Sequence, residues 1–125
     1  MKYLVIHNTG CEGLDRDILA SKGFHSIIER DGSLTILEAE TETPYTLDTF
    51  SGPSRHILYE GSCEENDMSY KQYDALEVYV NYMILRYPKI KILGHYKIDW
   101  TECPSFDVDL WLDDIGVSSK NMYCS

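Results

Sequence analysis

The chain is 125 residues long, 43% hydrophobic and 26% charged, a balance that predicts one globular domain over residues 1–125 with its own core and excludes general disorder. Its formal net charge of −10 argues against nucleic-acid and anionic-membrane partners, which need a cationic surface. The N-terminal apolar run Leu4-Val5-Ile6 is too short for a signal-peptide core and no stretch approaches a membrane span, so a cytoplasmic location is expected.

Along the chain, "KYLVIHN" (Lys2–Asn8) carries β-branched and aromatic residues in a short run and reads as a buried strand. "LDRDILASKG" reads as a short helix stopped by Gly23. "FHSIIER" and "SLTILEA" flank Asp31-Gly32; two strand-like runs joined by that dipeptide predict a hairpin with a type I′ turn. Residues 40–55 are polar, contain Pro44 and Pro53, and read as a long surface loop. "HILYEG" (His56–Gly61) is a further strand. "SYKQ" (Ser69–Gln72) has the pattern of a capping box, and Tyr73, Leu76, Val80, Met83, Ile84 and Tyr87 recur behind it at helical spacing up to Pro88. "KIKIL" (Lys89–Leu93) is a strand, and Ser105-Phe106-Asp107 opens a last helix carrying Val108, Trp111 and Leu112. Strands alternating with helices, plus a hairpin, predict an α/β domain: a mixed central sheet flanked by helices.

Cys11, Cys63, Cys103 and Cys124 show no CxxC and no regular spacing, and in a reducing compartment they are expected as free thiols, one of them available as a ligand. His7 closes the first strand, His95 follows the last, and Cys103 lies in the loop beyond. Spacing alone leaves their roles open. They could pack in the core, make ordinary hydrogen bonds, or supply two imidazoles and a thiolate to Zn²⁺ with a fourth position free for water.

The residue strings narrow this. "YLVIHNTG", "GFHSIIERDGSL", "ILYEG" and the block from "YKQYDALEVYV" to "ILGHYKIDWTECPSFDVDLWL" resemble, in order, segments of the zinc-dependent N-acetylmuramoyl-L-alanine amidases of the phage-lysozyme and peptidoglycan-recognition-protein type. The resemblance implies that fold, Zn²⁺ held by His7, His95 and Cys103, and hydrolysis of the amide joining the lactyl group of N-acetylmuramic acid to L-alanine by a zinc-activated water. The partner would be peptidoglycan or a muropeptide fragment, and a phage-encoded enzyme of this kind would be released at lysis.

The chain departs from the family pattern at several points. Phe24 stands where many members have a tyrosine whose hydroxyl assists the reaction. The strand position that carries a glutamate in other members is Leu58, with Glu60 on the same face two residues on; Glu60 is the candidate substitute, beside a structural role next to Gly61. Thr101, two residues before the ligand cysteine, matches the animal pattern; its hydroxyl can donate to the substrate oxygen or stabilise a turn. The segment between His7 and Gly23 is short, and "YTLDTFSGPSRH" replaces the family's glycine–histidine–alanine segment, with Arg55 and His56 only at its end. His25 is expected on the face opposite Phe24. These departures support a second reading: a domain that keeps zinc without hydrolysis and binds a protein partner or another small ligand.

Overall fold

In the computed structural model, which describes residues 1–13, 15–21, 23–37 and 53–123, the apolar run after Lys2 forms strand β1, Tyr3–Asn8. Alternation along this strand divides the molecule. Leu4 and Ile6 enter the main core, while His7 turns to the other face, edge-on to Phe24. Strands β4 (Ser54–Tyr59) and β5 (Lys91–Gly94) lie on either side of β1 and run parallel to it. β4 pairs in parallel with β2 (Ser26–Ile28), and β2 pairs antiparallel with β3 (Leu34–Ile36). The order is β3-β2-β4-β1-β5, a mixed sheet as the sequence predicts.

One face of the sheet is covered by helices α3 (Tyr70–Arg86) and α4 (Val108–Asp114). The capping box at the start of α3 is formed: the Ser69 hydroxyl accepts from the Gln72 N–H at 3.2 Å, and the Gln72 side chain accepts from the Ser69 N–H at 2.9 Å. Leu76, Val80 and Met83 are buried against Leu4, Ile6, Ile57 and Ile92. Each such side chain contributes about 1.5–3 kcal/mol of apolar burial, which is what holds the helix to the sheet. The helix ends at Arg86 because Pro88 disfavours helical geometry before it. Asp107 caps α4, accepting from the Leu110 N–H at 3.0 Å.

The other face carries the short helices α1 (Thr9–Glu12) and α2 (Arg16–Ser21). Gly23, at φ 92°, ends the second with a left-handed residue, and the Phe24 N–H closes back on the Leu19 carbonyl at 3.1 Å. Leu19, Phe24, Ile27 and Leu58 form a second, smaller apolar cluster there. Among the described residues no helix is long and apolar enough to cross a membrane.

Two expectations need correction, and a third falls outside the description. The hairpin joins β2 to β3, but not through a type I′ turn. Gly32 alone has positive φ, at 89°; the Gly32 N–H bonds the Glu29 carbonyl at 2.9 Å and the Glu29 N–H bonds the Ser33 carbonyl at 2.8 Å. That is a three-residue loop with one left-handed glycine. The Asp31 carboxylate, accepting from the Ser33 N–H at 2.9 Å, holds Asp31 in ordinary geometry. The cysteines differ too. Cys11 and Cys63 form a disulfide across a separation of 52 residues, because the segments leaving parallel neighbours β1 and β4 emerge side by side. The loop expected over residues 40–55 lies outside the described residues up to 52, and Ser54 and Arg55 already belong to β4; Cys124 is outside them as well.

Candidate metal centre

His7 sits near the end of β1, and His95 immediately follows β5. With Ile6 paired to Gly94 across parallel strands, both imidazoles emerge at the carboxyl edge of the sheet, where open α/β sheets place their ligands. Their ring centroids are 4.6 Å apart. Cys103 is brought in by the turn after His95: its carbonyl accepts from the Tyr96 N–H at 2.8 Å, and its Sγ accepts from the Asn8 N–H at 3.1 Å. His7 and Cys103 are sealed from solvent and His95 nearly so.

A further side chain, which the sequence did not reveal, completes the group. Glu12, at the end of α1, places Oε1 at 2.7 Å from His95 Nδ1 and 3.2 Å from His7 Nδ1. The potential ligand atoms of His7, Glu12, His95 and Cys103 all lie within 4.8 Å of one another. Nothing local in "NTGCEG" signals that this carboxylate folds back onto a histidine 83 positions away.

The far side of each ring is also held. His7 Nε2 lies 2.9 Å from His56 Nδ1, and His56 Nε2 lies 3.0 Å from the Ser54 hydroxyl. His95 Nε2 lies 3.3 Å from Asp99 Oδ2. These outer partners can accept the Nε2 protons and leave both Nδ1 atoms for a cation, an arrangement that orients metal-binding histidines and strengthens them as ligands. The spacing His95-x-x-x-Asp99 is a readable signal for one of them, whereas nothing near His56 in the sequence points to His7.

Burial and the Glu12 carboxylate set the electrostatics of the group. Burial pushes His7 down to about 4, against a hydrogen bond to Glu12 that works the other way. Burial, then the neighbouring imidazoles, hold His56 well below its usual value. Burial opposes the charge on Glu12, but bonds from His7 and His95 outweigh it and keep the carboxyl below the usual range. His95 is raised: burial works against its charge, and the bond to Glu12 prevails with help from Asp99. Burial drives the Cys103 thiol upward, only partly opposed by the Asn8 N–H. Two imidazole nitrogens, a buried sulfur and a carboxylate are a zinc-type donor set, and a coordinated cation would supply the charge that deprotonates the thiol. The residues fit Zn²⁺.

Residues 1–106 match the sequence model of the N-acetylmuramoyl-L-alanine amidases. The chain belongs to that family. Its fold is similar to the amidase LysC from Clostridium intestinale URNW, with a TM-score of 0.78 at 19% identity, covering 94% of this chain and 86% of that one. It is also similar to the Ph2119 endolysin of the Thermus scotoductus MAT2119 bacteriophage, with a TM-score of 0.73 at 18% identity over 97% of this chain and 84% of the other. The Drosophila peptidoglycan recognition protein SD aligns with a TM-score of 0.73 at 18% identity, covering 95% and 83%. At these identities the likeness is one of fold. Comparison with curated protein sequences gives no match.

In this amidase-family chain the other positions singled out from sequence fall as follows. The Thr101 hydroxyl accepts from the Cys103 N–H at 3.2 Å, stabilising the turn that presents the cysteine. Glu60 is not brought to the cluster: its carboxylate accepts from the Arg30 N–H at 3.1 Å and its carbonyl from the Gln72 amide at 2.8 Å. Phe24 stands edge-on to the His7 ring, centroids 4.7 Å apart. Leu58 is paired with His7 across the strands and buried beside Phe24. His25 Nδ1 accepts from the His56 N–H at 3.1 Å.

Proposed function

We propose that this amidase-family member is a zinc-dependent N-acetylmuramoyl-L-alanine amidase that hydrolyses the lactyl–L-alanine amide of peptidoglycan or of muropeptides. The observation that supports this reading is the convergence of one ring nitrogen each of His7 and His95 with Cys103 Sγ, within 4.8 Å, at the carboxyl edge of the sheet. These residues would hold the cation. Bound Zn²⁺ supplies a Lewis acid for the scissile carbonyl and brings the pKa of water toward neutrality.

The rest of the chain prepares that chemistry. His56 and Asp99 fix the orientation of the two imidazoles, and the Asn8 N–H donates to the sulfur and so steadies its negative charge. The Thr101 oxygen already accepts from Cys103, which leaves its own proton to donate to the substrate oxygen as charge develops there. Phe24 excludes water from one side of His7. Glu60, engaged at the hairpin, is read as a structural residue. A disulfide between Cys11 and Cys63 suits a protein that acts after leaving the reducing cytoplasm.

The test is a digest of purified peptidoglycan and soluble muropeptides with zinc-loaded protein, read by mass spectrometry, with Cys103→Ala as the control. Release of stem peptide beginning with L-alanine, lost in the variant, is expected. Protein that carries stoichiometric zinc yet releases nothing would overturn the amidase and leave a zinc-holding binding domain.

A further inference from the structure

We propose that Glu12 is a fourth protein ligand, which closes the metal centre at rest and must swing away before water or substrate can reach the cation. The inference rests on the zinc reading above and concerns how that site is regulated. Its basis is geometric. The carboxylate does not stand behind the histidines as an outer partner; those places are taken by His56 and Asp99. Instead Oε1 lies on the Nδ1 side of both rings, at 2.7 and 3.2 Å, beside the same two atoms that the outer partners leave for the cation. Tetrahedral zinc with bonds of about 2.0–2.3 Å spaces its ligand atoms by roughly 3.3–3.8 Å. In the group formed by His7, Glu12, His95 and Cys103, all within 4.8 Å, the two Glu12–histidine separations must open and the widest separations close, each by about 1 Å or less, to take the ion with Glu12 still attached.

The segment that carries Glu12 is anchored before that residue. Asn8 Oδ1 caps α1, accepting from the Cys11 N–H at 2.9 Å, and the Gly10 N–H bonds the Gly61 carbonyl at 2.8 Å. The fit there is so close that a Cβ on Gly10 would fall 2.4 Å from the Cys63 nitrogen. The Cys11–Cys63 disulfide fastens the same turn immediately before Glu12. After Glu12 comes Gly13, at φ 107° with open space around it. The backbone of α1 is therefore pinned to the end of β4, so a swing of Glu12 has to come from the torsions of its own side chain, which is 15% exposed. Catalytic zinc sites keep a position for water and structural sites do not; with Glu12 in, this one is closed, and with Glu12 out it is open.

The proposal is tested with Co²⁺ as the probe, in the wild type and in Glu12→Ala and Glu12→Gln. The visible absorption of the cobalt protein reports its ligands, and azide reports an open position. The wild-type spectrum should be insensitive to azide, whereas that of Glu12→Ala should shift on its addition. Zinc affinity, read by competition with a chromophoric chelator, should fall in Glu12→Ala by at least the 10–100-fold typical of losing an outer-shell partner. Glu12→Gln, which keeps the volume, should show the same azide response. A wild-type spectrum that responds to azide as the variants do, with equal zinc affinities, would overturn the closed centre while leaving the amidase intact if stem peptide is still released. Failure of the wild type to take up either metal would overturn both readings.

Discussion

His7 has no exposure to water and a polar partner on each ring nitrogen, Glu12 at Nδ1 and His56 at Nε2. Removing His56 would leave the buried Nε2 proton without an acceptor and the ring free to choose the wrong tautomer. His56→Ala is therefore expected to weaken zinc binding by about 10–100-fold in a chelator competition, with His56→Gln, which retains an acceptor, recovering part of the loss. Phe24 makes the opposite case, a site residue with no polar atom to offer. Its ring stands beside His7, at the position where the resemblance implies a tyrosine. Phe24→Tyr is expected to speed stem-peptide release by up to roughly a hundredfold, since one well-placed oxyanion donor is worth that order in rate. The added oxygen enters a tightly packed cluster, so a stability loss of about 1–3 kcal/mol in chemical denaturation should accompany the gain.

At the scale of elements, what matters is how the turns around the site are tied down. α1 is too short to be stable alone and owes its place to Asn8, to Gly61 and to the disulfide. Cys63→Ser opens a cross-link spanning 52 residues, for which roughly 2–4 kcal/mol of stability is expected to vanish in denaturant titrations. Zinc affinity should weaken in parallel, because Glu12 and His7 flank the released turn. The hairpin is tied to the loop after β4 by a different device. The Ser62 N–H, and then the Arg30 guanidinium, hold the Asp67 carboxyl below its ordinary range. A carboxyl lowered in the folded state stabilises above its unfolded value, near pH 4, and that contribution is lost as pH falls through the folded one. The thermal midpoint of the wild type should accordingly drop as pH falls below about 4. Asp67→Asn should lack this component, and an NMR titration of the Asp67 side chain should show its midpoint directly.

Over the whole molecule, a net charge of −10 would, with the proposed substrate, oppose approach to an anionic wall polymer at long range. Raising ionic strength from 0.01 M to 0.15 M shortens the screening length from about 30 Å to about 8 Å. Hydrolysis of intact sacculi should therefore accelerate over that range, while hydrolysis of small soluble muropeptides should change little; equal salt responses would show that the charge plays no part in encounter. The sequence by itself determined the features whose physics is local or periodic. The Ser69–Gln72 capping box, the stripe of α3 ending before Pro88, the stop at Gly23, the strand-like runs and the family pattern around His7, His95 and Cys103 depend on neighbours within a turn or on a quoted string. Even so, the Asp-Gly pair does not dictate the turn type: Asp31 bonds the Ser33 N–H and Gly32 alone takes positive φ. Only the tertiary structure decided that Glu12 meets His95, that His56 backs His7, that Cys11 pairs with Cys63, and that Glu60 is spent on Arg30. Those encounters join residues tens of positions apart through the order β3-β2-β4-β1-β5. Which side chains share the carboxyl edge of a sheet follows from strand order and register, and neither is written in the spacing of the residues themselves.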